Sequence, residues 1–104
     1  LIEYCLTYPA CYLDYPFDEE WAVMRHLKNK KAFAFIYYRN NELCINLKCE
    51  PMEADFYRSV YPCITPAYHM NKTHWNTVIV DGSMTLEELA PFIDKSFRLT
   101  KPKR

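Results

Sequence analysis

The sequence predicts an α+β fold, a two-layer sandwich in which helices cover one face of an antiparallel β-sheet. Three consecutive segments alternate or are apolar throughout and are joined by short turns, which requires antiparallel pairing. Two later segments repeat apolar residues every three or four positions, the period of a helix. Half of the 104 residues are hydrophobic, which is enough for the core of one domain spanning residues 1–104.

The N-terminal quarter predicts a short helix, turns and a first strand. Apolar residues spaced for one side of a helix precede Pro9, and they are Ile2, Cys5 and Leu6. Residues 10–20 contain Pro16 and clustered acids, which favour turns. Residues 21–27 predict a strand with one face formed by Trp21, Val23, Arg25 and Leu27.

Two further strands follow across predicted turns at residues 29–31 and 39–41. Residues 32–38 are apolar at both odd and even positions, which predicts a strand inside the sheet. Residues 43–48 alternate, so we expect Leu43, Ile45 and Leu47 to point inward. Their neighbours are expected to point outward, and they are Cys44, Asn46 and Lys48.

The second half predicts two longer helices around another strand. Pro51 suits the first position of a helix, and one face of that helix carries Met52, Phe56 and Val60. Residues 78–80 predict a strand that ends at Asp81-Gly82. Thr85 and Glu88 have capping-box spacing, and a stripe follows at Leu86, Leu89, Ile93 and Phe97. Pro91 lies inside this helix and should kink it or move its start.

Composition predicts a soluble, cytoplasmic monomer with no membrane partner. No apolar run is long enough to span a bilayer, and the N-terminus lacks the features of a signal peptide. The five cysteines are odd in number and form no Cys-x-x-Cys pair. We therefore expect buried free thiols, with Cys44 and Cys49 on opposite faces of a strand.

Charge is balanced overall but unevenly distributed. The chain has 13 basic and 13 acidic residues, which argues against a strong non-specific polyanion binder. Residues 1–20 contain acids and no Lys or Arg, whereas residues 21–48 contain six bases and only Glu42 as an acid. A local basic surface therefore remains compatible with the neutral total.

The segment PAYHMNKTHWNTV, residues 66–78, concentrates histidine, amide, lysine and tryptophan side chains. Cys63, His69 and His74 lack the ligand number and spacing of a zinc site. A Cys63–histidine nucleophile would lack a glycine-rich loop or nucleophile elbow beside it. We expect neither a metal, nor a cofactor, nor an enzyme.

Two other interpretations of this segment stay open. In the structural one, Asn71 and Asn76 hold a turn and Trp75 lies over the sheet edge. In the nucleic-acid one, lysines contact phosphates, the amides read base edges, and Trp75 or His74 stacks. The predicted interface then also includes the basic first hairpin. Its residues are Lys28, Lys30, Lys31, Lys48, His69, Asn71, Lys72, His74, Trp75 and Asn76.

The strings INLKCEP (45–51) and YPCITPAYHMNKTHWNTVIVDGS (61–83) closely resemble the MmcQ/YjbR family of small bacterial proteins. YPFDEEW (15–21) matches the proline–aromatic–acid element of that family. The resemblance implies the order α-β-β-β-α-β-β-α, adding a strand around residues 64–69. It also implies kinship with type III secretion chaperones and with frataxin, and DNA binding through a double-wing arrangement. The frataxin kinship suggests iron held by the acidic residues 14–20, with a solvated acidic turn as the ordinary alternative.

The leading hypothesis is a non-enzymatic domain that binds DNA through the basic hairpin and the HMNKTHWN segment. The alternative is a protein-interaction module, chaperone-like or regulatory, that uses an exposed face of the sheet. Its support is the neutral net charge and the abundance of Tyr and Phe.

Overall fold

The computed structural model describes residues 1–103; Arg104, the last residue of the predicted domain, lies outside them. The elements in order are α1 (Ile2–Cys5), β1 (Cys11–Asp14), β2 (Ala22–His26), β3 (Ala32–Arg39), β4 (Glu42–Lys48), α2 (Pro51–Val60), β5 (Ile64–Pro66), β6 (Trp75–Val80) and α3 (Leu86–Thr100). Within residues 1–103, no helix combines the length and the hydrophobicity that crossing a membrane requires.

The strands form one antiparallel sheet in the order β1-β2-β3-β4-β6-β5. Residues of all three helices join the core that packs on one face of this sheet. The predicted two-layer α+β class is therefore confirmed, and β3 lies inside the sheet as predicted. We call the face without helices the open face.

The N-terminal edge of the sheet differs from the prediction. Residues 10–20 were expected to form turns, but β1 occupies Cys11–Asp14 and pairs with β2. Four strands therefore precede α2, where the predicted order has three. The strand expected over residues 64–69 is β5, which ends at Pro66. The proline and the acidic residues that follow β1 favoured the prediction of turns, so this strand of only four residues was missed.

A β-bulge at Phe33 shapes the core. Met24 pairs with Ala34 and Arg25 pairs with Ala32, so Phe33 has no partner on β2. Both Phe33 and Ala34 are fully buried in the core, although consecutive strand residues normally point to opposite faces. The extra residue lets Phe33 pack between the sheet and α3, where its ring lies 4.9 Å from that of Phe97.

The second layer also differs in detail from the prediction. On α2, the stripe of Met52, Phe56 and Val60 does share one face, but all three side chains are exposed. Ala54 is buried instead. On α3 the predicted capping box is confirmed, and the helix begins at Leu86 and continues through Pro91. The alternative in which Pro91 moves the helix start is therefore wrong.

The cysteines are free thiols, as predicted. Four are buried and Cys11 is half-buried. Burial raises the pKa of the Cys5 thiol to about 12, which keeps it protonated and inert at neutral pH.

His26 ties β2 to the end of α3 and makes stability depend on pH. Its ring is 2% exposed, and Nε2 lies 2.8 Å from Oγ1 of Thr100. Burial lowers the pKa of His26 below its ordinary value. Below the ordinary pKa of about 6.5 the unfolded chain takes up a proton more readily than the folded chain, so acid favours unfolding.

We therefore expect the free energy of unfolding to fall as the pH is lowered from about 7 through 6.5, by at most about 1.4 kcal/mol per pH unit. Urea unfolding at pH 7 and pH 5.5 measures this change. In the variant His26→Phe the difference between the two pH values should shrink. An undiminished difference in that variant would assign the pH dependence to other groups.

Candidate nucleic-acid interface

Aromatic side chains cover much of the open face. The Trp21 ring stacks on Tyr37 at 3.9 Å between centroids, and Phe35 lies edge-on to both Trp21 and Trp75. Phe35 and Trp75 are half-buried, so parts of their rings face solvent. Half-exposed rings on an uncovered sheet are suited to stacking against planar groups.

The loop of residues 67–74 folds back over the open face. Its anchor is Asn46, whose Oδ1 accepts hydrogen bonds from the hydroxyls of Tyr37 (2.7 Å) and Thr77 (2.5 Å). Nδ2 of Asn46 donates to the carbonyl of Tyr68, and the Tyr68 amide donates to Thr77 Oγ1. Cys44 and Asn46 therefore lie on the face opposite Ile45, as the alternation predicted, but both are buried there and do not reach solvent.

His69 belongs to this loop. It is exposed, has a φ of +60°, and its ring lies 3.9 Å from Tyr68 and 6.5 Å from Trp21. A positive φ is uncommon outside glycine, and such strained positions concentrate at functional sites. The Arg39 guanidinium lies 4.0 Å above the Tyr68 ring, which adds a cation beside these aromatic side chains.

Asn71 holds the turn that follows, as the structural interpretation predicted. Its Oδ1 accepts hydrogen bonds from the amides of Thr73 (2.8 Å) and His74 (3.2 Å). The turn leaves Lys72 and His74 exposed at its surface. Asn71 therefore presents the cation of Lys72 and has its own acceptor occupied.

Asn76 does not belong to the surface on which the prediction placed it. It is 4% exposed and points into the helix layer. Nδ2 donates to the Ala54 carbonyl, and Oδ1 accepts from Arg58 at 2.9 Å. The predictions that Asn76 holds the turn or reads base edges are therefore wrong, because it joins β6 to α2.

Strand register gathers the remaining predicted residues at one end of the sheet. The β2–β3 turn with Lys28, Lys30 and Lys31 is exposed at this end, where β4 finishes at Lys48 opposite Trp75. β3 and β6 flank β4, so they lie roughly 10 Å apart. We call this region the basic end: residues 28–31, Lys48 and residues 71–74.

The C-terminus of α3 adds cations that the sequence did not assign to this site. Nδ2 of Asn29 donates to the Thr100 carbonyl at 3.0 Å, which places the chain after α3 beside the β2–β3 turn. Lys101 and Lys103 follow and are exposed. The nearest sequence signal is the run of bases after residue 97, but only the fold places it beside the hairpin.

The opposite end of the sheet carries an acidic cleft of about 560 Å³. Its lining contains three carboxylates and neither Lys nor Arg; the carboxylates are Glu3, Glu19 and Glu20. It opens where β2 begins at Ala22 and β3 approaches its end at Tyr38. The uneven charge of the sequence thus becomes a separation of charge along the sheet.

The arrangement of side chains does not support the nucleophile or the metal site considered for the histidine segment. Cys63 is buried in the hydrophobic core, whereas His69 and His74 are exposed, which separates the thiol from its proposed base. Among residues 1–103, no three His, Cys, Asp or Glu side chains come together in a group able to hold a metal ion.

The family model described as YjbR matches residues 6–99. The chain belongs to the YjbR family. Among curated relatives, YjbR of Escherichia coli K12 is 26% identical over 98 residues, covering 94% of this chain and 81% of that protein. YyaQ of Bacillus subtilis is 34% identical, covering 85% of this chain and 84% of the relative. The resemblance read from residues 45–51 and 61–83 is confirmed.

Solved structures of this YjbR-family chain's relatives share its fold. A crystal structure of a Pseudomonas syringae protein is 32% identical, with a TM-score of 0.85 over 96% of this chain and 95% of that one. A Deinococcus radiodurans protein with the domain DUF419 is 31% identical, with a TM-score of 0.85 over 97% of this chain and 75% of that one.

Proposed function

We propose that this YjbR-family protein binds DNA through the basic end and the adjoining rings of the open face. The observation that carries the proposal is the register, which sets the β2–β3 turn and residues 71–74 on either side of Lys48 and Trp75. Cations on both sides of aromatic rings suit a backbone of phosphates with bases between them.

The separation of charge supports this proposal despite the neutral total. The carboxylates of the acidic cleft lie at the far end of the sheet, and Asp14 is paired with Arg25 at 2.8 Å. The basic end therefore keeps a local positive potential, which attracts a polyanion over about a Debye length.

The asparagine side chains of this region favour DNA binding that does not depend on base sequence. Asn46, Asn71 and Asn76 all accept hydrogen bonds within the protein, so their acceptors are occupied. Exposed lysines and half-exposed rings remain, and neither discriminates strongly among bases. Because stacking needs an unpaired base face, we propose that single-stranded DNA binds more tightly than duplex DNA.

Titration of fluorescent single-stranded DNA at several salt concentrations tests the proposal. We expect the logarithm of the association constant to fall linearly with the logarithm of salt concentration, with a slope of about 0.7 per phosphate contact. Replacing Lys48 and Lys72 by glutamine should reduce the slope by about 0.7 for each contact that is lost.

The matched control is Lys95→Gln, which removes one charge from α3 on the opposite layer. It should leave the slope unchanged. Binding that is absent at low salt, or that is indifferent to salt, would refute DNA binding. An equal loss of slope in the control would show that net charge, and not the basic end, governs affinity.

We propose that the role is not enzymatic. The thiols that would be the obvious nucleophiles are buried or half-buried. Desolvation raises the pKa of four of them, which are Cys5, Cys11, Cys44 and Cys49. Thiols held protonated in this way are poor nucleophiles.

A second candidate function, docking of a protein partner, is favoured by the exposed stripe on α2. Met52 is 87% exposed, Phe56 59% and Val60 49%, and they lie on one face of the helix. Glu50 and Asp55 are exposed beside them. The occupant that fits this surface is an apolar helix or strand with basic flanking residues. The predicted alternative used the sheet, whereas this surface lies on the helix layer.

A further inference from the structure

A second cavity lies in the helix layer and adjoins the basic end, because Lys48 belongs to both. It occupies about 140 Å³ between α2 and α3, above the sheet. Its walls are largely apolar, with Leu47, Ile64 and Val78 from the sheet, Tyr57 from α2 and Phe92 from α3. A cavity of about 150 Å³ with apolar walls is large enough for a benzene-sized molecule.

Three cations line this cavity: Lys48, Lys95 and Arg98. Lys95 Nζ lies 3.2 Å from Oε1 of Glu53, so its charge is already matched. Arg98 lines the cavity, is exposed, and forms no ion pair within residues 1–103. Lys48 likewise forms no ion pair within residues 1–103. The lining therefore has two cations in excess, and one of them, Arg98, is a side chain that binds planar carboxylates well.

We infer that this cavity binds a small apolar carboxylate, with its ring or short chain inside and its carboxylate at Arg98. The apolar walls alone would bind a neutral hydrocarbon as tightly as they bind the carboxylate. The two excess cations select the anion, because a carboxylate at the exposed Arg98 keeps contact with water and gains a charge-assisted hydrogen bond. This inference does not depend on DNA binding.

Cys49 provides an independent readout of occupancy. Its side chain lines the same cavity and is 7% exposed. A molecule inside the cavity should therefore slow the reaction of Cys49 with a thiol reagent. The other four cysteines lie outside the cavity lining and serve as internal controls.

The test uses benzoate and its neutral counterpart toluene, with the methyl resonances of Ile64 and Val78 observed by NMR. We expect benzoate to shift both methyl groups saturably and to protect Cys49, and toluene to bind more weakly. The variant Arg98→Gln should bind benzoate about tenfold more weakly, the loss expected for one charge-assisted hydrogen bond. Lys101→Gln removes a neighbouring exposed cation outside the cavity lining and should bind benzoate as the unaltered chain does.

Three results would overturn the inference. They are unshifted methyl groups with unprotected Cys49, equal affinities for benzoate and toluene, and undiminished benzoate affinity in Arg98→Gln. Because Arg98 is exposed, its replacement is not expected to disturb folding. Each outcome can therefore be read from folded protein.

Discussion

Replacing Asn46 with leucine is expected to lower the free energy of unfolding by about 3 kcal/mol. Asn46 is fully buried and makes three hydrogen bonds, to Tyr37, Thr77 and Tyr68. Leucine has a similar volume but leaves those buried partners without their acceptor or donor, and each unsatisfied group carries a desolvation penalty. Urea unfolding measures the change.

A pair of neighbouring tyrosines provides the matched control. Tyr37→Phe removes one hydroxyl from this network and should cost about 1 kcal/mol. Tyr38 is 72% exposed, so Tyr38→Phe should change stability by less than about 0.5 kcal/mol. If Asn46→Leu is as stable as the unaltered chain, the network does not hold residues 67–74 on the open face.

The variant Phe33→Ala is expected to cost about 3–5 kcal/mol of unfolding free energy, the usual range for a buried phenylalanine. Phe33 is 0% exposed, and its ring contacts those of Tyr8, His26 and Phe97. Removing it would leave a cavity where the segment after α1, helix α3 and the bulged strand meet. Thermal or urea unfolding measures the loss.

The control is the same substitution on α2. Phe56 is 59% exposed, so Phe56→Ala should change stability by less than about 0.5 kcal/mol. The same variant should weaken any protein partner that docks on the α2 stripe. If Phe56→Ala lowered the unfolding free energy of the isolated protein as much as Phe33→Ala does, the α2 stripe would have to be buried. That result would contradict this structure.

Local patterns in the sequence were sufficient to predict most elements. Alternation identified β3 and β4, and capping-box spacing identified the start of α3. The hairpin turn at Asn40 and Asn41 was also predictable, because asparagine tolerates the positive φ of 53° and 64° found there. β1 escaped prediction because a four-residue edge strand has too few positions to show a period.

The direction in which a face points was less predictable than its existence. Periodicity places Met52, Phe56 and Val60 together on α2, but it does not state whether that face meets the sheet or solvent. Alternation likewise placed Asn46 opposite Ile45. It could not show that residues 67–74 cover that side, because the covering loop is contributed by a distant segment.

The sequence was sufficient to predict which side chains belong to the candidate site, but not how they are arranged. The cations at residues 28–31, 48 and 72 and the ring of Trp75 are exposed or half-buried at one end of the sheet. Asn76 was assigned to the wrong face of the sheet. It follows Trp75 on β6, so its side chain points to the opposite face, toward the helices. The bases after α3 needed the contact between Asn29 and Thr100 to join the site.

The most direct test of the proposed DNA interface is NMR mapping of ¹⁵N-labelled protein with a short single-stranded DNA at low salt. We predict that amide shifts change at residues 28–31, at Lys48 and at residues 69–75, and that these changes fade as salt is added. The amide shifts of α2 and of the acidic cleft should not change. Shifts confined to α2 or the cleft, or no shifts at low salt, would contradict the proposal.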